Sequence, residues 1–295
     1  MATALWTAAG ILLVAAALLD VFQTLLRPGS TGRLTHLIFR AAWALVRGPR
    51  RTSVSGPLTI VLVIAVWITL VTVGWALIYF PHLPDGFAFN GVDPGRYPPF
   101  VEAMTISLVT LTTLGYGDVV PIDEVLRAVS PLEALTGFIL LSAAVSWFMQ
   151  LYPALARRRA FALRLASLAR AGTIDGFPSL SESRALGILD ATTHDLADVT
   201  ADLAQNAEIF YFREHDPTMS MPRAAGYVLQ LRDAAGSSEY AAVQMQGRAL
   251  AAVLDELASV LLRQYPHVRG ESADDVLGHV ATNHGHRFEA PDSGA

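Results

Sequence analysis

Three long apolar stretches constrain this chain more than any other feature. A helix needs about 20 predominantly apolar residues to cross a hydrocarbon core of about 30 Å. Residues 3–26 carry Asp20 as their only charge, residues 57–80 carry none, and residues 129–152 carry only Glu133. A fourth apolar stretch, residues 100–113, lies between the second and third. At about 1.5 Å per residue it reaches only about 21 Å, so it reads as re-entrant or buried. The charged fraction, 16%, is well below the roughly 25% of soluble proteins, which agrees with a membrane location.

Orientation follows from the arginines, since cytoplasmic loops are enriched in positive charge. Residues 27–56 hold Arg27, Arg33, Arg40, Arg47, Arg50 and Arg51 and no acid. Arg157, Arg158 and Arg159 follow the third span. Three spans satisfy both signals, with the N-terminus and the linker 81–99 outside and the C-terminal half in the cytoplasm. The first stretch has no charged region ahead of its apolar run and is read as a retained span rather than a leader. In the loop, Arg33, His36, Arg40 and Arg47 share one helical face. That is an interfacial helix; a voltage sensor needs arginine about every third residue through a full span.

The expected fold class is therefore all-α: three transmembrane helices, a re-entrant pore helix with a filter, and a helical cytoplasmic domain. The expected organisation is an N-terminal span (1–30), an interfacial helix and loop (31–56), a pore module (57–153), a helical domain (154–280) and a frayed tail (281–295). Within the pore module the divisions are outer helix 57–80, pore helix 100–112, filter 113–117 and inner helix 129–152. In the helical domain Leu186, Leu189, Leu196, Val199 and Leu203 form a stripe. Residues 182–212 read as one long helix, and Ser272-Ala273-Asp274-Asp275 resembles a capping box.

The motif that carries chemistry is Thr110-Leu111-Thr112-Thr113-Leu114-Gly115-Tyr116-Gly117-Asp118. A potassium ion crosses a membrane only if something replaces its water shell, and a ring of backbone carbonyls from four chains does so. Turning successive carbonyls to one axis demands alternating backbone conformations, which glycine adopts without steric cost. Gly115 and Gly117 supply that freedom. Thr113 adds a hydroxyl ring at the inner end, Tyr116 is placed to brace the filter from behind, and Asp118 stands at the outer mouth to concentrate cations.

On these residues the chain resembles the potassium channel family, in the prokaryotic tetrameric form with one pore loop per subunit. The resemblance covers about residues 57–152. It implies a homotetramer in the cell membrane and passive K+ conduction through carbonyls of Thr113, Leu114, Gly115, Tyr116 and Gly117. Leu114 stands where the family more often has Val. Thr105 and Ile106 replace a pair of tryptophans common in the pore helix, and Val109 replaces a glutamate found behind the filter in some bacterial members. Gly137, 24 residues after Thr113, matches the gating-hinge glycine, or else permits close packing. By the same alignment Phe138, Leu141, Val145, Ser146 and Met149 face the conduction path, with Met149 able to narrow the inner mouth.

Glu133 has two readings. In Ser130-Pro131-Leu132-Glu133 it fits a capping box at a helix start; alternatively it hydrogen-bonds the pore helix behind the filter. Asp20 is expected near the headgroups. No cofactor is expected beyond K+ as the permeant ion, and no structural metal; His279, His284 and His286 are irregularly spaced. There are no cysteines, which removes thiolate chemistry. No basic cluster suggests nucleic acid, no nucleophile–base pair suggests an enzyme, and no strand followed by Gly-x-Gly-x-x-Gly follows residue 154. The helical domain assembles the tetramer, controls the inner helices, or binds a ligand of unknown kind. Two other functions compete: a weakly selective cation channel, and a sensor or scaffold subunit with conduction secondary.

Overall fold

The computed structural model describes residues 1–26, 32–45, 55–214, 216–265 and 267–284. Two compact units emerge, residues 1–40 with 58–149, and residues 41–57 with 150–295.

The first unit contains the membrane elements. Helix α1 (Ala2–Leu26), helix α3 (Ser55–Tyr79) and helix α5 (Glu124–Arg170) are long and apolar enough to span. Between α1 and α3 lies the helix α2 (Arg33–Leu45). Its buried positions are Thr35 and Phe39, one turn apart. Arg27, Arg47, Arg50 and Arg51 lie outside the described residues. Between α3 and α5 sits the short helix α4 (Pro99–Leu111), flanked by strands β1 (Phe87–Phe89) and β2 (Val119–Pro121). The strands pair antiparallel, Phe87 opposite Pro121 and Phe89 opposite Val119. Three-residue strands leave no periodicity to read, and the sequence reading missed them.

Asp20 is buried within the protein. Its Oδ1 accepts from the Leu34 amide at 2.9 Å; its Oδ2 accepts from the Thr35 amide at 3.2 Å, the Thr35 hydroxyl at 2.7 Å and the Trp67 indole at 2.9 Å. Asp20 thus caps the N-terminus of α2 from another helix and ties both to α3. Trp67 in turn packs on Trp147 of α5, centroids 5.4 Å apart, and Phe39 of α2 meets the same Trp147 edge-on at 6.5 Å.

Helix α5 begins before its apolar run. Asp123 is its cap, Oδ1 accepting from Val125 at 2.9 Å and Leu126 at 3.0 Å. The helix continues unbroken through Pro153 to Arg170; a missing proline N–H is tolerated in membrane helices where neighbours resatisfy the backbone.

The second unit is a helical bundle of α7 (Glu182–Gln205), α8 (Met221–Gly236), α9 (Ala241–Gln264) and α10 (Ala273–Asn283), joined to the end of α5 by the short α6 (Thr173–Gly176). Leu189, Leu196, Val199 and Leu203 form the buried stripe of α7, with Ala185 rather than Leu186 as its first member. Helix α7 stops at Gln205 and a 3-10 turn covers Ala207–Tyr211, so the expected single helix to 212 is two elements. Ser272 and Asp275 form the capping box of α10, and α10 extends past 280; residues 285–295 lie outside the described residues. Arg157 pairs bidentately with Asp202. Arg158 is buried, donating to the carbonyls of Ile209 and Phe212 and to Glu214, which also accepts from Arg159. The three arginines read as a topology signal therefore also fasten α5 to α7 and to the segment that follows it.

Candidate ion-permeation site

Helix α4 starts where Pro99 occupies its first position, a place where the missing N–H costs nothing. It ends at Leu111, and the chain folds straight back on its last turn. The Thr113 amide donates to Thr110 O at 2.9 Å and the Leu114 amide to Val109 O at 3.0 Å. The backbone is then left-handed at alternate residues: φ is 57° at Thr113, 54° at Gly115 and 77° at Gly117. Thr113 is the one non-glycine residue with positive φ among the described residues. A left-handed conformation costs a residue with a Cβ about 1–2 kcal/mol, and such strain concentrates at functional sites. Open space surrounds the Cβ position of both glycines, so their constraint is conformational, not steric.

The outer end is held by a residue the sequence reading missed. The Asn90 amide donates to Asp118 O at 2.6 Å, and its side-chain Nδ2 reaches Gly117 O at 3.4 Å. The β1–β2 pairing continues directly from this contact. The Asp118 carboxylate is half-buried and accepts from the Val119 amide at 3.0 Å. Between these ends Leu114 and Tyr116 are 56% and 68% exposed in the single chain. Tyr116 therefore does not brace the filter from within its own chain.

Glu133 sits three turns into α5, not at a helix start, so the capping-box reading of residues 130–133 is overturned: Asp123 is the cap, and the helix already exists at Ser130. The Glu133 side chain is fully buried. Oε2 lies 2.6 Å from the Tyr79 hydroxyl of α3, and Oε1 lies 2.5 Å from Ser107 Oγ of α4. Ser107 Oγ is also 2.9 Å from Thr72 O of α3. One carboxyl group thus bonds directly to α3 and α4 from α5. Neither Tyr79 nor Ser107 was singled out beforehand. The signal for Ser107 was available, as a polar residue within the apolar run of α4; Tyr79 reads only as an interfacial aromatic at the end of a span.

Gly137 is a point of close approach. A Cβ there would collide with the carbonyl oxygen of Leu111, at the C-terminal end of α4. Close packing accounts for glycine at this position, and α5 is continuous across it. The residues aligned with the conduction path, Phe138, Leu141, Val145, Ser146 and Met149, are all exposed in the single chain, Met149 at 73%. At 100° per residue most of them lie opposite the buried face of Glu133, Leu140, Trp147 and Leu151. The arrangement leaves an apolar stripe of α5 unpartnered by its own chain.

Outside the membrane elements, His194 and Asp198 are exposed and 3.9 Å apart. His279 Nδ1 accepts from the Arg269 amide at 3.1 Å and His284 packs on Phe210 at 4.9 Å; His286 lies outside the described residues. Among the described residues no cluster of three potential metal-ligating side chains occurs.

Two spans enclosing a short helix and a left-handed, glycine-bearing loop define an ion-channel pore. A family model described as ion channel matches residues 62–152, from α3 into α5. The chain is 28% identical over 174 residues to an uncharacterized membrane protein, YdjJ, of Bacillus subtilis, covering 56% of this chain and 49% of that protein. It is 30% identical over 167 residues to the inward rectifier potassium channel Kirbac3.1 of Paramagnetospirillum magnetotacticum, covering 54% of each. A candidate potassium channel protein of Rhodopseudomonas palustris is 26% identical over 131 residues, covering 44% of this chain and 31% of that one. The matches thus span between 31% and 54% of these relatives' lengths. No solved structure gives a significant match. The matched residues are thus those of an ion-channel module, similar at modest identity to proteins named as potassium channels, in a chain with three helices long and apolar enough to cross a membrane.

Proposed function

We propose that this chain is one subunit of a homotetrameric, potassium-selective channel that conducts K+ passively through the carbonyls of residues 113–117. The observation that carries the reading is the alternation of left-handed backbone at Thr113, Gly115 and Gly117. That alternation turns successive carbonyls to one side, which a potassium filter requires and an ordinary extracellular turn does not. A single chain supplies one such strand of carbonyls, so four are needed to close the ring. Lining and gating of the inner pore fall to the exposed stripe of α5, with Met149 nearest its cytoplasmic end. The helical bundle is assigned to the cytoplasm, where it controls the inner helices. Passive conduction needs no cofactor and no catalytic step.

The test is the reversal potential of purified protein in planar bilayers, with KCl on one side and NaCl on the other. The expected reversal lies near the potassium equilibrium value, and Gly115→Ala abolishes the selective current through its φ of 54°. A robust current reversing near zero would replace this reading with a weakly selective cation channel. Detergent-solubilised protein running as a stable monomer would refute the tetramer.

A further inference from the structure

Two acids on the described spanning helices are buried, Asp20 of α1 at 6% exposure and Glu133 of α5 at 0%, and hydrogen counting separates their chemistry. Asp20 faces four donors: two backbone amides, the Thr35 hydroxyl and the Trp67 indole. The nearby hydroxyls are consistent with that, because Thr24 donates to Thr35 at 3.3 Å and accepts from the Gly32 amide at 3.0 Å. Each hydroxyl there gives one hydrogen to one acceptor, and the carboxylate needs no proton. It also lies at the N-terminus of α2, where the helix dipole favours negative charge.

Glu133 differs on every point. It forms no ion pair among the described residues, and only two side chains reach it, the hydroxyls of Tyr79 and Ser107. Ser107 Oγ has a single hydrogen but two oxygens within bonding distance, Glu133 Oε1 at 2.5 Å and Thr72 O at 2.9 Å. A backbone carbonyl only accepts. If Ser107 donates to Thr72, the Ser107–Glu133 contact holds only when a hydrogen comes from Glu133. If Ser107 instead donates to an ionised Glu133, the Thr72 contact is left as two facing oxygens, and a fully buried charge has no cation to offset its desolvation.

We propose that Glu133 is a neutral carboxylic acid that donates its own hydrogen to Ser107. The hydrogen bonds then run in one direction, from Tyr79 to Glu133, from Glu133 to Ser107, and from Ser107 to the Thr72 carbonyl. Every hydroxyl gives one hydrogen, and every oxygen that accepts has a donor. The Glu133 proton makes the carboxyl a two-sided tie between α5 and α4, holding the pore helix whose last turn anchors residues 113–115. Glu133 is thus a positioning residue for the filter. Its effect on conduction rests on the channel reading above; its protonation does not.

Infrared spectroscopy of the full-length protein in lipid at neutral pH tests the proton directly. The difference spectrum between wild type and Glu133→Gln is expected to contain the carbonyl stretch of a protonated carboxylic acid, and Ser107→Ala is expected to shift that band by removing its acceptor. A wild-type-minus-Gln spectrum showing only carboxylate bands overturns the proposal. Potassium flux tests the positioning role. Glutamine retains one donor and one acceptor, so Glu133→Gln is expected to keep flux near wild type. Glu133→Ala and Ser107→Ala each leave buried partners unsatisfied and are expected to lower flux at least about tenfold. Wild-type flux in both alanine variants would overturn the positioning role. A protonated band in a protein that carries no potassium-selective current would leave the proton assignment standing and sink the channel reading.

Discussion

Replacing Asp20 should unfasten α2 from the membrane helices. Asp20→Ala removes the acceptor for four donors at once. Loss of an N-cap alone costs about 1 kcal/mol. Hydrogen bonds to a charged group are worth about 1.5–3 kcal/mol each, and two such bonds, from the Thr35 hydroxyl at 2.7 Å and the Trp67 indole at 2.9 Å, are lost besides the cap. The terms are not independent, because the donors share one carboxylate, so about 3 kcal/mol is the expected floor and not the full sum of about 4–7. Every 1.4 kcal/mol is a factor of ten, so amide hydrogen exchange in α2 should accelerate about a hundredfold. Trp67→Phe removes one donor and leaves the cap intact, so it should accelerate exchange by about tenfold, less than Asp20→Ala does. Asp20→Asn keeps one acceptor but turns an N–H toward donors, and should fall close to alanine. Hydrogen exchange with mass spectrometry on peptides covering residues 33–45 reads all three. Exchange in Asp20→Ala within about threefold of wild type, a difference of only about 0.6 kcal/mol, would refute the claim that this carboxylate organises α2.

Two further substitutions bear on the pore and the bundle. Gly137→Ala should lower thermal stability, because its Cβ meets the Leu111 carbonyl and overpacking costs about 1–3 kcal/mol; a pure hinge role predicts the opposite sign, since alanine favours helix over glycine by about 1 kcal/mol. In the bundle, hydrogen bonds from Arg232 hold the Asp274 carboxyl below its ordinary range. A depressed carboxyl contributes stability above its unfolded value of about 3.9 and loses it as pH falls through the folded value. The pair is partly exposed, so its worth is about 0.2–1 kcal/mol. Arg232→Gln should therefore lower the melting temperature by a few degrees at neutral pH and less at pH values below about 4; an equal loss at both ends of the range would refute the linkage.

What the sequence made legible follows from the range of the interactions involved. The spans, the short α4 and the filter are written in local composition, and α7 and α10 in local periodicity and capping; all of these could be read within a window of about twenty residues. Glu133 could not. Its local context, Ser130-Pro131-Leu132-Glu133, imitates a helix start, and only the Asp123 cap, eight residues before Pro131, shows that the helix has begun already. Its partners Tyr79 and Ser107 lie 54 and 26 residues away. The partners of Asp20 were out of reach for the same reason, since Trp67 is 47 residues distant. Asn90 failed because a three-residue strand pair has no period to detect. Polar residues inside apolar segments were recognisable as unusual; which groups they would meet was a property of the fold.

The filter raises a last prediction, because its own chain supports it only at the ends. Its inner end rests on the Val109 and Thr110 carbonyls and its outer end on Asn90. Between them Leu114 and Tyr116 are 56% and 68% exposed, and among the described residues none beyond the immediate chain neighbours lies within 4 Å of the Cβ positions of Gly115 and Gly117. A strained backbone persists only where its surroundings over-determine it. In the proposed tetramer, the surroundings of residues 113–117 are completed by neighbouring subunits and by ions coordinated between facing carbonyls. Ion binding and assembly should then be linked: an ion that binds the tetramer and not the monomer stabilises it by RT ln(1 + [L]/Kd), about 2.7 kcal/mol at a hundredfold excess over Kd. The dissociation temperature of the detergent-solubilised tetramer should rise as K+ replaces Na+ at constant ionic strength. Gly115→Ala should abolish that dependence. An equal dissociation temperature in both ions would mean that the tetramer holds itself together without a filter that selects between them, and the selective reading of residues 113–117 would fall with it.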